Sequence, residues 1–169
     1  MVVAETGRLR LRRLTLDDAP FILELLNEPS WLRFIGDKGV HSLEDARGYL
    51  TRGPLDMYAR HGFGLYLVEL HDGTPAGMCG VLKRDGLDHP DLGFAFVPRF
   101  WGAGYAREAA AATMAYARES LGLGRILAIT SPDNERSGSL LLKIGFTDEG
   151  LVRLAPAAPE VRLYAAGAP

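Results

Sequence analysis

The chain has 169 residues, 47% of them hydrophobic and 24% charged, with a formal net charge of −2. That is room for one domain with its own core, in the balance of an ordinary globular protein. The small charge, with no basic run, argues against a nucleic-acid partner, no apolar stretch reaches the length of a bilayer span, and the single cysteine, Cys79, excludes an internal disulfide or a cysteine-built metal site.

Residues 8–14 alternate charged and apolar side chains and predict an edge strand with Leu9 and Leu11 inward. Thr15 or Asp17 caps a helix over 18–27, in which Phe21, Ile22, Leu25 and Leu26 recur at helical spacing; Glu28-Pro29 stops it. Residues 31–40 read as a loop pinned to the core by Trp31, Phe34 and Ile35. Ser42-Leu43-Glu44-Asp45 is a capping box for a second helix to residue 52, with a continuation to 60 past a break at Pro54. Strands at 63–70, 75–84 and 91–97 form an antiparallel meander, turned at Asp72-Gly73 and Asp85-Gly86. A glycine loop over 98–104 leads into an alanine-rich helix over 105–121, which Gly122 and Gly124 end. A buried strand at 125–130 runs parallel to 91–97 through a right-handed crossover. A helix over 135–144 and strands at 146–154 and 160–165 complete the chain. The whole is one domain, 1–169, of mixed α/β (α+β) class. Its sheet is mostly antiparallel, with six or seven strands, a central splayed parallel pair and four flanking helices.

Strand, glycine loop and helix start together make an anion site. First-turn N–H groups have no partner inside a helix, and the aligned peptide dipoles leave positive charge there. Gly102 and Gly104 let a phosphate lie on those groups, and Arg99 at the loop mouth adds a charge. The ligand implied is a phosphate or pyrophosphate. The Walker pattern is absent, and the dinucleotide fingerprint fails at Arg107. What the spacing Arg99-Phe100-Trp101-Gly102-Ala103-Gly104 resembles is Arg/Gln-x-x-Gly-x-Gly/Ala, the pyrophosphate loop of the GNAT superfamily of N-acetyltransferases. Asn134, Ser137, Lys143, Gly145 and Phe146 resemble the second signature of that family. Residues 27–46 and 61–70 look like its ribosomal-protein alanine N-acetyltransferase-like branch. The resemblance runs from residue 8 to 164. It departs at Gly138-Ser139, where a bulkier apolar residue and a basic one are usual.

The resemblance implies a GNAT-like fold and an acetyl-CoA-dependent N-acetyltransferase. Its acceptor would be a primary amine, on a protein N-terminus or a small molecule, attacking directly in a ternary complex. Phe96, Val97, Arg99, Gly102, Ala103, Gly104, Tyr105, Ala106, Asn134 and Ser137 would hold acetyl-CoA. Pro98 is expected to drive the parallel strands apart and free backbone groups between them. By resemblance, the pantetheine arm pairs with residues 94–97, and an N–H near Phe96 or Val97 faces the thioester oxygen. Asn134, Ser137 and Asp91 are the catalytic candidates. Asp91 is a possible base for the amine, with Glu69, His71 or a water chain as alternatives. Tyr164 and Tyr66 are further proton-donor candidates. His41, His61, His71 and His89 lack metal-ligand spacing, so no metal is expected. Cys79, mid-strand, reads as structural. A cytoplasmic protein is expected from the absence of a signal segment and the lone cysteine, as a monomer or as a homodimer through the C-terminal strands. The alternative function is a non-catalytic module that holds coenzyme A or an acyl-CoA.

Overall fold

Leu9 and Leu11 are fully buried in β2 (Leu9–Arg13), as their alternation with arginines predicts. The structure, a computed structural model, describes residues 1–167. β2 is not an edge: β1 (Val2–Glu5), short and half-exposed, pairs antiparallel outside it. β3 (Leu65–Leu70), β4 (Pro75–Leu82) and β5 (Asp91–Phe96) form the expected meander. β6 (Ile126–Thr130) is the parallel neighbour of β5. β7 (Thr147–Val152) and β8 (Val161–Ala166) follow, and β8 inserts between β6 and β7. Among the described residues the sheet therefore has eight strands, in the order β1-β2-β3-β4-β5-β6-β8-β7, against the six or seven expected, and its class is the mixed α/β fold read from the sequence.

Helices cover both faces. A 3₁₀ turn over Leu16–Asp18 opens α1 (Ala19–Leu25), and its cap is Thr15, in a reciprocal capping box with Asp18. The first part of the 31–40 stretch expected as loop instead belongs to a helix, α2 (Pro29–Phe34). Pro29 does not prevent this, because a first-turn N–H is unpaired in any helix. Of the three expected anchors only Trp31 is buried; Phe34 is half-buried and Ile35 is 44% exposed. The Ser42 hydroxyl accepts from the Asp45 N–H at 3.0 Å and starts α3 (Leu43–Leu50). Pro54 does not break the run that follows. A π-helical turn over Thr51–Leu55 absorbs it and passes the chain into α4 (Asp56–His61). The α1–α4 layer packs Ile22, Leu25, Trp31 and Leu50 against Leu67, Met78 and Val97. On the other face, α5 (Tyr105–Glu119) lays Ala109, Ala110, Met114 and Ala117 over Leu92, Phe96, Ile126 and Ala128. Leu141 and Gly138 of α6 (Glu135–Lys143) are buried on that same side.

Candidate active site

β5 and β6 meet at one bridge, Asp91 opposite Leu127, where the Leu127 N–H donates to the Pro90 carbonyl at 2.9 Å. Beyond that bridge the ladder stops, and the strands fork. The fork opens from the start of β5, well before Pro98, so the proline is not its cause. Pro98 instead follows the last bond of β5 to β4, from the Val97 N–H to the Ala76 carbonyl at 3.0 Å. That bond sets the alternation. Asp91, Gly93, Ala95 and Val97 turn their backbone groups to β4, and Leu92, Phe94 and Phe96 turn theirs to the side that β6 has vacated. The Val97 N–H is thus already engaged. Of the two expected donors, Phe96 is the one facing the fork, with Phe94 deeper inside.

The mouth of the fork is bridged by Trp101. Its indole Nε1 donates to the Phe96 carbonyl at 2.8 Å, and the Arg136 guanidinium of α6 lies 4.6 Å from the ring centroid. Trp101 therefore meets β5 with its edge and α6, which follows β6, with its face.

Just beyond, residues Pro98–Phe100 make a 3₁₀ turn, and Gly102 (φ +84°) and Gly104 (φ +81°) adopt left-handed backbone that side chains disfavour. Gly104 is the cap residue of α5 and brings no side chain to it. The first helical bond runs from the Glu108 N–H to the Gly104 carbonyl at 3.0 Å, so the N–H groups of Tyr105, Ala106 and Arg107 have no helical partner. Ala103, Gly104, Tyr105 and Ala106 stand together at this tip, as the sequence implied. Arg99 does not join them. Its Nη1 is bonded to Glu24 of α1 at 2.5 Å. The cation at the tip is Arg8, from the turn between β1 and β2, whose Nη1 donates to the Ala103 carbonyl at 2.8 Å. Nothing local to Arg8 in the sequence signals this, because its partners lie far along the chain.

Asn134 and Ser137 form the opposite lip, directly after β6. The Asn134 Oδ1 accepts from the Ser137 N–H at 3.2 Å and caps α6, so its amide NH₂ is left over. The departure at Gly138 has a steric reason: a methyl there would overlap the hydroxyl of Tyr164, which reaches across from β8. Arg33 of α2 bonds Asp133 at 3.3 Å and ties the α2 segment to this lip.

Asp91 lies at the closed end of the fork, fully buried. Arg84 Nε donates to Oδ1 at 2.9 Å, while Oδ2 is sealed without a partner. Burial raises the carboxyl pKa, and Arg84 only partly opposes it. A sealed carboxylate does not reach an amine, so the expected role as base does not fit. Glu69 is held by Arg10 and Arg12 at 3.2 and 3.3 Å, with β4 between its strand and β5. The Nε2 of His71 is 2.9 Å from the Thr6 carbonyl, at the β1–β2 turn. Tyr66 is buried beneath α5, stacked edge-on to Tyr116, and its hydroxyl pKa is pushed up by burial. None of the three stands in the fork. Among the described residues no cluster of His, Cys, Asp and Glu suits a metal ion, and no helix is long and apolar enough to cross a membrane.

A sheet forked at one end, with an uncapped helix tip at the mouth, is the frame of an acetyltransferase. Residues 8–147 match the family model described as the acetyltransferase (GNAT) domain, and the chain belongs to that family. It is 30% identical over 155 residues to the uncharacterized N-acetyltransferase YoaA of Bacillus subtilis (strain 168), over 89% of this chain and 86% of that one. A crystal structure of an acetyltransferase from Agrobacterium tumefaciens matches at TM-score 0.79 and 28% identity, covering 97% of this chain and 93% of that one. RimL, a ribosomal L7/L12 alpha-N-protein acetyltransferase in complex with coenzyme A, matches at TM-score 0.84 over 99% and 98% of the two chains; at 20% identity this is a likeness of fold.

Proposed function

We propose that the protein is an acetyl-CoA-dependent N-acetyltransferase that acts on a primary amine by direct attack in a ternary complex. The observation that carries this is the fork itself: backbone N–H groups of Phe94 and Phe96 turned into an opening that ends at an uncapped helix tip. An amide-bearing arm laid along Phe94–Phe96 would pair with them as an added strand. A diphosphate at its end would reach the N–H groups of residues 103–106. The coenzyme A held by RimL is consistent with the same ligand class here.

Acetyl-CoA, when bound, supplies an activated acetyl thioester. The chain supplies the rest. A fork-facing N–H of β5 donates to the carbonyl oxygen as negative charge grows on it, worth about 3 kcal/mol in the barrier. The Asn134 amide NH₂ and the Ser137 hydroxyl, at the opposite lip, donate to the departing sulfur. The amine gives its proton to water, since Asp91 is sealed and Glu69 and His71 lie elsewhere.

The sealed Asp91 also favours a second reading, a module that holds acyl-CoA without turnover. Thiol release from acetyl-CoA over a panel of amines and peptides separates the two. Turnover that Asn134→Ala reduces at least tenfold supports the enzyme. Tight coenzyme A binding with no thiol release on any amine supports the module. No coenzyme A binding removes both.

A further inference from the structure

The glycine loop is organised by a residue from the other end of the chain. Arg8 is fixed at three points. Its Nη1 donates to the Ala103 carbonyl at 2.8 Å, its Nε to Glu108 Oε1 at 2.8 Å, and its guanidinium carbon lies 4.3 Å from the Tyr105 ring centroid. Its own backbone N–H reaches Glu108 Oε2 at 3.2 Å, and the Thr6 hydroxyl bonds that same oxygen. The two Glu108 oxygens are therefore turned inward, to the β1–β2 turn. What remains is Nη2. It makes no hydrogen bond among the described residues, and it is the atom nearest to where a Cβ on Gly104 would stand, at 3.5 Å. A guanidinium edge with both hydrogens spare thus lies beside the residue that caps α5. Arg99, the cation the motif offers, is tied to Glu24 on the far side of the loop.

We infer that Arg8, outside the glycine motif, is the cation that meets the diphosphate of coenzyme A, and that Arg99 is not. The inference rests on the coenzyme reading proposed above. Arg8 has two assets that Arg99 lacks. Its spare Nη2 edge can donate to phosphate oxygen while the charge stays on the guanidinium, and its rotamers are already restricted by three contacts, so little freedom is lost when a ligand arrives. It also occupies the Ala103 carbonyl, an acceptor beside the anion site, with a donor.

Calorimetric titration of the full chain with coenzyme A, at two or more salt concentrations, tests this. Arg8→Gln is expected to weaken binding about tenfold or more and to flatten the salt dependence by about one counterion. Arg8→Lys keeps the charge without the fork and should keep the salt slope while binding less tightly than wild type. Arg99→Gln should stay within about twofold of wild type. Glu108→Gln is the decisive control. It removes the carboxylate charge but keeps an amide oxygen to brace Arg8, and it leaves the cation, so affinity should hold or rise. A purely structural Arg8 would instead make Glu108→Gln as damaging as Arg8→Gln, and that result overturns the inference. So does wild-type affinity in Arg8→Gln. Thermal melts confirm that each variant is folded. Wild-type protein that ignores coenzyme A would sink the coenzyme reading itself, a different and recognisable outcome.

Discussion

Gly138 offers a test in which local and tertiary physics predict opposite signs. A glycine inside a helix costs roughly 0.5–1 kcal/mol relative to alanine, so helix propensity alone makes Gly138→Ala stabilising. The structure says otherwise. Gly138 is buried, a methyl there overlaps the Tyr164 hydroxyl, and Tyr164 is only 5% exposed, hemmed on β8 between β6 and β7. Forcing an extra methyl into a packed site costs about 1–3 kcal/mol. The net expectation for Gly138→Ala is a loss of about 1 kcal/mol. Tyr164→Phe removes the offending oxygen, and the nearest remaining ring atom, Cζ, is 3.4 Å from the added carbon, an ordinary contact. In that background the same Gly138→Ala should stabilise by about 0.5–1 kcal/mol, as propensity alone dictates. Urea denaturation of the four proteins gives the cycle directly. A Gly138→Ala effect of the same sign in both backgrounds would refute the steric account.

Two further outcomes follow from buried ionisable groups. The Asp91 carboxyl is raised in the folded state above its ordinary value of 3.8, so between the two values the native protein holds the extra proton and stability falls as pH rises. Asp91→Asn cannot ionise and should gain on wild type as pH climbs from about 3, levelling off above the folded value; a flat difference curve in urea melts would contradict this. Burial pushes the Cys79 thiol up to about 12, with Thr113 Oγ1 3.2 Å from its sulfur. At pH 8 only about one thiol in 10⁴ is then thiolate, so a disulfide dye should label the native protein far more slowly than the urea-unfolded one, and fast native labelling would be the contrary result.

Local pattern made much of the fold legible. Leu9 and Leu11 at period two, the Asp72-Gly73 turn and the Ser42 cap each act within a few residues, and each is where the sequence put it, though the Asp45 carboxylate returns to the His41 N–H rather than to Ser42 and leaves the capping box half made. The loop-to-helix start at Tyr105 was legible for the same reason: Gly102 and Gly104 need positive φ, and the alanine run after them favours helix. What failed was decided by distant partners or by strength of signal. β1 is too short and exposed to carry a period. α2 buries only Trp31. The fork depends on where β6 stops pairing, which no residue in β5 announces, so Pro98 took the credit in the sequence reading. In the candidate site, motif residues gave the tip but not the partners of its cations, since Glu24 takes Arg99 and Ala103 takes Arg8 only once the chain is folded. Asp91 looked available because its strand-end position is visible in sequence and its burial is not.

The single rung between Asp91 and Leu127 divides the sheet into unequal halves, β1 to β5 on one side and β6, β8 and β7 on the other. Each half has a raw inner margin in the middle of the protein, where a continuous sheet would have none. Whatever extended molecule lies along that margin becomes a beam of the building as well as its cargo. It would stitch the halves into one cooperative unit, so that the protein's resistance to unfolding should rise with the concentration of its own reactant.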